Sequence, residues 1–433
     1  MTLNPLKGDV LDSAASDPNW RWDREIPAPG KMGVDFETRG DFRRLQRYRL
    51  ARAQAALKAS KCGALLLFDV NNIRYVSGTK IGEWERDKFC RFALLTQDNE
   101  PVVWDFGSAA VHHRLYCDWL DPSSCRAGVL GMRGTIPPSF GLMKAHAEEI
   151  MALVREAGCD GEPIGVDVGE TAMMFALQDA GMTIVDGQQI MLDAREIKNI
   201  DEIVLLNQAA AMVDGVYHMI WEELKPGVRE NEIVAKANAM LYEMGSDDVE
   251  AINAISGERC NPHPHNFTDR LLRPGDQAFF DILQSFNGYR TCYYRTFNVG
   301  RAPPSQHDAY TRCREWLDKA IELIKPGVST DKVAEVWPTA EEIGFPNELS
   351  AFGLQFGHGL GLALHERPII SRVCSLENPM EIKTGMVFAL ETYCAASDGY
   401  SAARIEEEVV VTDKGCKVIT HFPAEELPIA NRY

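Results

Sequence analysis

The chain has 433 residues, of which 45% are hydrophobic and 25% are charged, and its formal net charge is -18. This composition is ordinary for a globular protein, and the length predicts two domains. The negative charge argues against nucleic acid or an anionic membrane surface as a partner, because the phosphates of either would be repelled.

The N-terminal part of the chain predicts an arm followed by an α/β domain. Residues 1–40 show no periodicity, so we interpret them as an arm that packs on the body, anchored by Trp20 and Trp22. Beyond it, helical patterns alternate with short apolar runs that are typical of buried strands. The helical patterns lie at 41–60, 144–156 and 170–181, and the apolar runs at 62–69, 92–96, 101–106 and 164–167. This alternation predicts an α/β domain over residues 41–190.

Cysteine usage and hydropathy favour a cytoplasmic protein. The eleven cysteines are an odd number without a CxxC pair, so we expect neither a disulfide framework nor a zinc knuckle. The N-terminus lacks the apolar segment of a signal peptide. No run of 18 apolar residues occurs, and the sequence therefore predicts no membrane partner.

A duplicated unit is indicated in the C-terminal part. Residues 225–228 and 325–328 both read Lys-Pro-Gly-Val, and each copy is followed by a helical pattern. Further on, a glycine leads into an apolar strand that ends in a carboxylate, once at 275–281 and once at 385–391. Two matches in the same order, about 100–110 residues apart, predict two facing halves over 200–300 and 306–412, within a domain of 195–433.

Four polar residues interrupt otherwise apolar segments of this domain. Asp281, Glu391 and Glu406 lie in or beside strand patterns, and His358 lies among glycines. A buried carboxylate is costly unless it is paired or bound to a metal. Ion pairs with nearby arginines would explain each carboxylate singly. Together with an imidazole in a duplicated scaffold, the set favours Mn, Fe, Co or Zn.

The ordered motifs resemble the pita-bread family, which includes methionine aminopeptidase, Xaa-Pro aminopeptidase, prolidase and creatinase. The motifs lie at 195–198, 357–362, 365–368, 391 and 404–406, and residues 62–78 resemble the N-terminal domain of the two-domain members. The resemblance implies an α/β fold, with a creatinase/prolidase-type N-terminal domain before a duplicated pita-bread domain. It also implies a small-molecule substrate.

The resemblance implies a metal site with one departure from the family pattern. Asp281, His358, Glu391 and Glu406 match four of the family's five ligands. The slot of the second aspartate, which bridges two metals, holds Cys292. A single thiolate is a poor bridge between ions that prefer oxygen. We therefore expect at most one divalent metal or none, with Cys292 more often a buried thiol than a ligand.

Creatinase gives the closer local resemblance. His265 matches its general acid/base, and Phe89 and Arg91 match the element that binds the substrate carboxylate from the partner subunit. This implies a homodimer whose active site is shared across the interface. Tyr294 stands where creatinase has a guanidinium-binding glutamate, so creatine is not expected as substrate.

Two further residues complete the predicted site, and a third is left outside it. His365 is expected to steady developing negative charge, and Arg404 is placed with Phe89, Arg91 and Tyr294 among the substrate-binding residues. His263, between two prolines, is interpreted as a loop residue.

These assignments favour a creatinase-like hydrolase that acts on a small, carboxylate-bearing C–N compound. Three alternatives stay open: an Xaa-Pro peptidase, a lyase resembling dimethylsulfoniopropionate lyase, and a non-catalytic binding protein on a decayed peptidase scaffold. The sequence does not name the substrate.

Overall fold

The computed structural model describes residues 20–28, 40–82, 91–128, 132–351 and 356–433. They fall into two compact units, Asp41–Arg195 and Glu196–Tyr433, and the second also takes in residues 20–28 and 40. The described part of the predicted arm belongs to this second unit. There Asn207 Nδ2 donates to the carbonyl of Ile26 at 2.9 Å.

The N-terminal unit is an α/β sheet with helices. Its helices are α1 Phe42–Ala59, α2 Val70–Ser77, α3 Gly107–Tyr116, α4 Leu142–Glu156, α5 Thr171–Asp179 and α6 Gln188–Arg195. Its strands are β1 Ala64–Leu67, β2 Phe92–Thr96, β3 Val102–Asp105, β4 Cys125–Ala127, β5 Ile164–Val166 and β6 Ile184–Asp186. Among the described residues they pair in the order β4-β3-β2-β1-β5-β6. Aspartates begin two helices: Asp41 caps α1 and Asp69 caps α2 by accepting from backbone N–H groups.

The C-terminal unit combines helices with two main sheets, which are antiparallel except for one short parallel edge pair. Its helices are α7 Ile200–Glu223, α8 Glu230–Met244, α9 Pro304–Leu323 and α10 Thr330–Ala334. Its strands are β7 Asp248–Ser256, β8 Gln277–Phe286, β9 Tyr289–Val299, β10 Gly357–Gly359, β11 Glu366–Ile370, β12 Val387–Glu391, β13 Cys394–Ala395, β14 Ala402–Ala403, β15 Glu406–Val411, β16 Cys416–Val418 and β17 Ile429–Ala430. In the described chain, one sheet has the order β17-β9-β8-β7 and the other the order β11-β10-β12-β15-β16.

The two Lys-Pro-Gly-Val turns adopt the same structure. The N–H of Gly227 donates to the carbonyl of Leu272, and the N–H of Gly327 donates to that of Ile382, both at 2.9 Å. Both glycines have a positive φ, 91° and 85°, which favours glycine over any other residue. The α/β fold class with a duplicated C-terminal domain is confirmed.

Helix α7 is the central helix of the C-terminal unit. It is the one helix in the described ranges that is long and apolar enough to cross a membrane by length and composition, and 67% of its apolar window is buried inside the protein. Tyr217 on α7 donates to the carbonyls of Phe280 and Tyr293, which ties the helix to β8 and β9. Burial of this kind is typical of a core helix.

Asp167 joins the ends of β1 and β5 in the N-terminal unit. Its carboxylate accepts from the N–H groups of Phe68 at 2.8 Å and Asp69 at 3.1 Å, and from Asn72 Nδ2 at 2.9 Å. We expect Asp167→Ala to lower the free energy of unfolding by about 2–4 kcal/mol, because buried donors lose their acceptor. Asp167→Asn should cost less, since it keeps one acceptor oxygen.

Urea unfolding followed by circular dichroism measures this loss. The exposed Asp160 is the control position, where Asp160→Ala should change the unfolding free energy by less than about 0.5 kcal/mol. Equal losses at both positions would contradict the assignment.

Candidate metal and active site

Acidic side chains from strands of both sheets lie together in one buried cluster. Glu391 ends β12 and Glu406 begins β15, and the ladder pairs these two residues directly. On the other sheet, Asp281 lies in β8, and Cys292 lies in the neighbouring strand β9. Ligand atoms of Asp281, Cys292 and Glu406 all lie within 4.8 Å of one another, and all three residues are buried. The structure therefore brings these predicted site residues together.

His358 faces Glu391 from strand β10. Its Nδ1 lies 2.9 Å from the carbonyl of Gly359, so Nδ1 carries the proton and donates. Nε2 then presents a lone pair to Glu391 Oε1 at 3.4 Å. Two acceptors that face each other at this distance require a cation or a proton between them.

Arg404 supplies the positive charge of the cluster. Its Nη2 lies 2.7 Å from Glu391 Oε2 and 3.0 Å from Glu406 Oε1, and its Nε lies 3.2 Å from the same Glu406 oxygen. The guanidinium carbon also stands 4.0 Å from the ring centre of Tyr294, in cation–π contact. Arg404 is thus engaged mainly with protein carboxylates rather than free for a substrate.

The carboxyl groups of the cluster differ in their pKa. Burial raises the pKa of Asp281 to about 6, although Arg404 opposes this. Burial and the charge of Glu391 raise the pKa of Glu406 well above its usual range. For Glu391, burial acts to raise the pKa, but the facing His358 imidazole and the charge of Arg404 lower it to about 2. Glu391 is therefore the carboxylate that stays ionised without help from a metal.

Cys292 is a thiol rather than a thiolate in this environment. Burial raises its pKa well above the ordinary value, and the charges of Asp281 and Glu406 raise it further. Its Sγ donates to Asp281 Oδ1 at 3.8 Å. A buried thiol surrounded by carboxylates is a poor nucleophile.

The donor set fits one divalent metal ion. Two buried atoms, His358 Nε2 and Glu406 Oε2, have no hydrogen-bond partner among the described residues. An imidazole nitrogen and carboxylate oxygens are ligands that Mn, Fe, Co and Zn accept. His358, Glu391 and Glu406 would hold such an ion. For a second ion, the bridging carboxylate is replaced by the thiol of Cys292.

A cleft of about 430 Å³ opens beside the cluster. Its lining residues are Asn261, Pro262, His263, His265, Phe345, Ser350, Ala351, Phe356, Glu391, Thr392, Tyr393 and Arg404. A larger groove of about 750 Å³, beside Trp221 and Phe422, contains none of the predicted site residues. The smaller cleft is therefore the candidate active site.

Two histidines of one loop lie in this cleft, and sequence reasoning favoured only one. His265 is exposed, and burial of part of its ring, followed by the charge of Arg404, lowers its pKa. His263 lies deeper: its Nε2 is 2.7 Å from Arg404 Nη1, and its ring is 4.8 Å from that of His265. His263 is in a loop, as interpreted from the sequence, but its ring also contacts Arg404. Nothing in the sequence pattern pointed to the contact with Arg404.

His365 lies next to His358. Their ring centres are 4.4 Å apart, and burial, followed by the charge of His358, lowers the pKa of His365. His365 is not among the residues that line the cleft. Its neutral ring stands behind the proposed metal ligands.

Tyr294 lies beneath Arg404 rather than in the cleft lining. It is 1% exposed, and its hydroxyl is 3.4 Å from Asn253 Nδ2. Asn253 also donates to Asp281 Oδ2 at 3.0 Å, a contact that the sequence did not reveal. The expectation that Tyr294 contacts substrate is not met in this structure, because the ring is covered by Arg404.

The predicted carboxylate-binding element lies in the N-terminal unit. Phe89 is outside the described residues. Arg91 is 1% exposed, and its Nε lies 3.0 Å from the buried carboxylate of Asp105. Arg91 Nη1 also donates to the carbonyl of Thr79. The expectation that Arg91 reaches a partner subunit's substrate is therefore not met in this structure, since its guanidinium is bound within its own unit.

Comparisons with known proteins agree on the two halves of the chain. Residues 204–413 match the model of metallopeptidase family M24, and residues 49–197 match that of the creatinase/prolidase N-terminal domain. The probable dipeptidase PepE of Mycobacterium tuberculosis is 30% identical over 272 residues, which are 61% of this chain and 70% of that protein.

Two further relatives match more of the chain. Dimethylsulfoniopropionate lyase DddP of Roseovarius nubinhibens is 24% identical over 445 residues, with 97% of this chain and 96% of that protein covered. The crystal structure of a prolidase from Thermococcus sibiricus is similar with a TM-score of 0.72 and 23% identity, and the match covers 89% of this chain and 99% of that one. This last likeness concerns the fold.

Arg404 is expected to be essential for the stability of the metal-free protein. Arg404→Leu removes the cation between two buried carboxylates and should lower the free energy of unfolding by about 3–5 kcal/mol. Arg404→Lys should lose less, because it keeps the charge. Chemical denaturation in the presence of a chelator measures the effect, with the exposed Arg432→Leu as the control. A loss below about 1 kcal/mol for Arg404→Leu would show that the carboxylates do not depend on this contact.

Proposed function

Because the chain belongs to metallopeptidase family M24 and carries a creatinase/prolidase N-terminal domain, we propose that it hydrolyses a C–N bond in a small, carboxylate-bearing, non-peptide substrate with at most one divalent metal ion. The observation that carries the proposal is the environment of Cys292. A thiol stands in the slot where the family's bridging aspartate is expected, and its Sγ lies 3.8 Å from Asp281 Oδ1.

Charge balance supports a single ion. When all three are ionised, the carboxylates of Asp281, Glu391 and Glu406 carry three negative charges. Arg404 carries one positive charge. One divalent ion brings this buried cluster to neutrality. A second would leave two uncompensated positive charges in a buried place, which is strongly unfavourable.

The residues around the cleft have distinct roles in the proposed reaction. A bound metal ion would polarise the scissile group or lower the pKa of a water molecule. His265 lies at the open side of the cleft with a lowered pKa, so its neutral ring is ready to accept a proton from water. It then returns the proton to the leaving nitrogen. His365, neutral and next to His358, is placed to steady negative charge behind the ligands.

A lyase is the second candidate, and one specific observation favours it. The match to dimethylsulfoniopropionate lyase DddP spans 97% of this chain, whereas the match to the dipeptidase PepE spans 61%. His265 as a base in the cleft would serve elimination as well as hydrolysis, since both begin with removal of a proton. Product analysis separates the two: elimination forms a carbon–carbon double bond, whereas hydrolysis consumes water.

The metal content of the purified protein tests the single-ion proposal. We expect no more than one tightly held ion per chain after dialysis against Mn, Fe, Co or Zn. Cys292→Asp restores the bridging carboxylate and should raise the capacity towards two ions per chain. Elemental analysis measures both proteins, and Cys159→Asp, at a half-buried cysteine of the N-terminal unit, is the control. Two tightly held ions in the wild type would contradict the charge argument.

Activity on Xaa-Pro dipeptides is expected to be absent or very weak. An unreactive amide is attacked in such enzymes by water activated between two cations, and this protein is proposed to lack one of them. Cys292→Asp with added Mn or Co should therefore cleave Xaa-Pro dipeptides at least about tenfold faster than the wild type, as measured by release of free proline. His265→Ala should abolish turnover of any compound that the wild type cleaves, with an unchanged circular dichroism spectrum. Robust wild-type cleavage of the dipeptides would favour the peptidase alternative.

A further inference from the structure

His263 is held in one tautomer by Arg404. A guanidinium has only N–H donors, so the 2.7 Å contact between Arg404 Nη1 and His263 Nε2 requires Nε2 to accept. In a neutral imidazole the remaining proton must then reside on Nδ1. Arg404 cannot become the acceptor in this hydrogen bond, because a guanidinium does not lose its proton in proteins.

The surroundings of His263 keep this ring neutral. The groups that face it are Arg404, His265, Glu391 and Tyr393, with Phe279 against its edge. Burial, the positive charge of Arg404 and the ring of His265 together lower the pKa of His263 to about 3, although Glu391 acts in the opposite direction. The ring therefore carries a single N–H through the physiological pH range.

The Nδ1–H of His263 is available to a ligand. The residue lines the cleft, and Nδ1 makes no hydrogen bond to the residues that the structure describes, nor is it among the buried atoms that lack a partner. The centre of the His263 ring lies 4.9 Å from that of Tyr393 and 4.8 Å from that of His265. The ring of Phe279 packs edge-on against it, with the ring centres 5.6 Å apart. Its donor direction is thus set by packing before a ligand arrives.

We propose that His263 determines specificity by donating its Nδ1–H to an acceptor oxygen of the substrate, a carboxylate or carbonyl oxygen, at the inner end of the cleft. This inference rests on the proposed function, since it names how the substrate's oxygen is recognised. The cleft needs such a donor, because Arg404 is engaged by Glu391 and Glu406 and Arg91 is bound within the other unit. His265, which has no hydrogen bond to Arg404, keeps the role of carrying the proton.

The division of roles follows from the contacts. A histidine whose lone pair is already bound cannot accept a proton from water, so His263 is unsuited to act as a base. A neutral donor holds an acceptor oxygen without the large desolvation cost of a buried free cation. The site would reject analogues in which an ammonium group replaces this oxygen, because two donors would then face each other.

Nitrogen-detected spectroscopy tests the tautomer without any substrate. In the full-length, chelator-treated protein with ¹⁵N-labelled histidine, we expect His263 to show protonated Nδ1 and unprotonated Nε2 at every pH from about 5.5 to 8.5. His263→Phe and His265→Phe assign the two signals. Acetate, as a carboxylate probe, should shift the His263 Nδ1 resonance, and methylammonium at the same concentration should not. Protonated Nε2, titration within this range, or no response to acetate would overturn the proposal.

Kinetics tests the role in recognition with any compound that the wild type turns over. His263→Phe keeps the stacked ring but lacks the donor, and should raise KM about 10- to 100-fold with a smaller effect on kcat, as expected for loss of a hydrogen bond to a charged acceptor. His263→Asn retains a donor near the position of Nδ1 and should recover much of that loss. His218→Phe, at an exposed histidine of α7, is the matched control. Equal KM values for the Phe variant and the wild type would overturn the role in recognition.

The two proposals can fail separately. If no small C–N compound is turned over, the proposed function fails, while the tautomer and the response to acetate still decide whether His263 is a fixed donor. If turnover is found but His263 titrates, the proposed hydrolase function is supported, and the proposal that His263 is a fixed donor is wrong.

Discussion

The candidate site depends on the contact of Arg404 with Glu391 and Glu406. These two acidic residues lie directly opposite each other in an antiparallel ladder, where like charges destabilise a sheet. The guanidinium between them offsets that repulsion and fixes both carboxylates at once. Its own backbone is fixed by Thr296, whose hydroxyl accepts from the N–H of Arg404 and donates to its carbonyl. Because Thr296 belongs to β9 and Arg404 precedes β15, one side chain also ties the two sheets together.

Duplication explains why carboxylates from distant parts of the chain meet. Gly275 and Gly385 have nearly the same positive φ, 86° and 87°, and each lies in a turn that leads into a strand. Six residues later the strands present Asp281 and Glu391. The halves have since diverged in what surrounds these two acids: Asp281 accepts from Asn253, whereas Glu391 contacts His358 and Arg404. The same backbone structure therefore places two carboxylates in one site, each with different neighbouring residues.

Local sequence patterns predicted the fold better than the surroundings of the site. The helical pattern at 41–60 corresponds to α1, Phe42–Ala59, because apolar spacing and the cap of Asp41 act locally. The strand pattern at 62–69 corresponds to the shorter β1, Ala64–Leu67. Helix α3 was not predicted, since nothing caps its N-terminus with a side chain.

The partners of individual side chains escaped prediction for a physical reason. Arg404 and His263 are 141 residues apart, and Asn253 and Asp281 are 28 residues apart, so their contacts form only when separate segments of the chain come together. Arg91 matched a motif, but the motif did not reveal that Asp105 binds its guanidinium. A short sequence motif shows which residue type occupies a position. The direction of its side chain depends also on charged residues from other parts of the chain. Site residues with several charged neighbours are therefore the least predictable.

The replacement of a carboxylate by Cys292 changes more than one ligand. A thiol is a donor where the family's aspartate would be an acceptor, and Asp281 responds by accepting from Cys292 on one oxygen and from Asn253 on the other. With both its oxygens engaged, Asp281 has less to offer a metal ion. The atoms left bare in the described site are His358 Nε2 and Glu406 Oε2, with Glu391 between them. The count of free ligand atoms and the balance of charge are separate arguments, and both favour the proposed single ion.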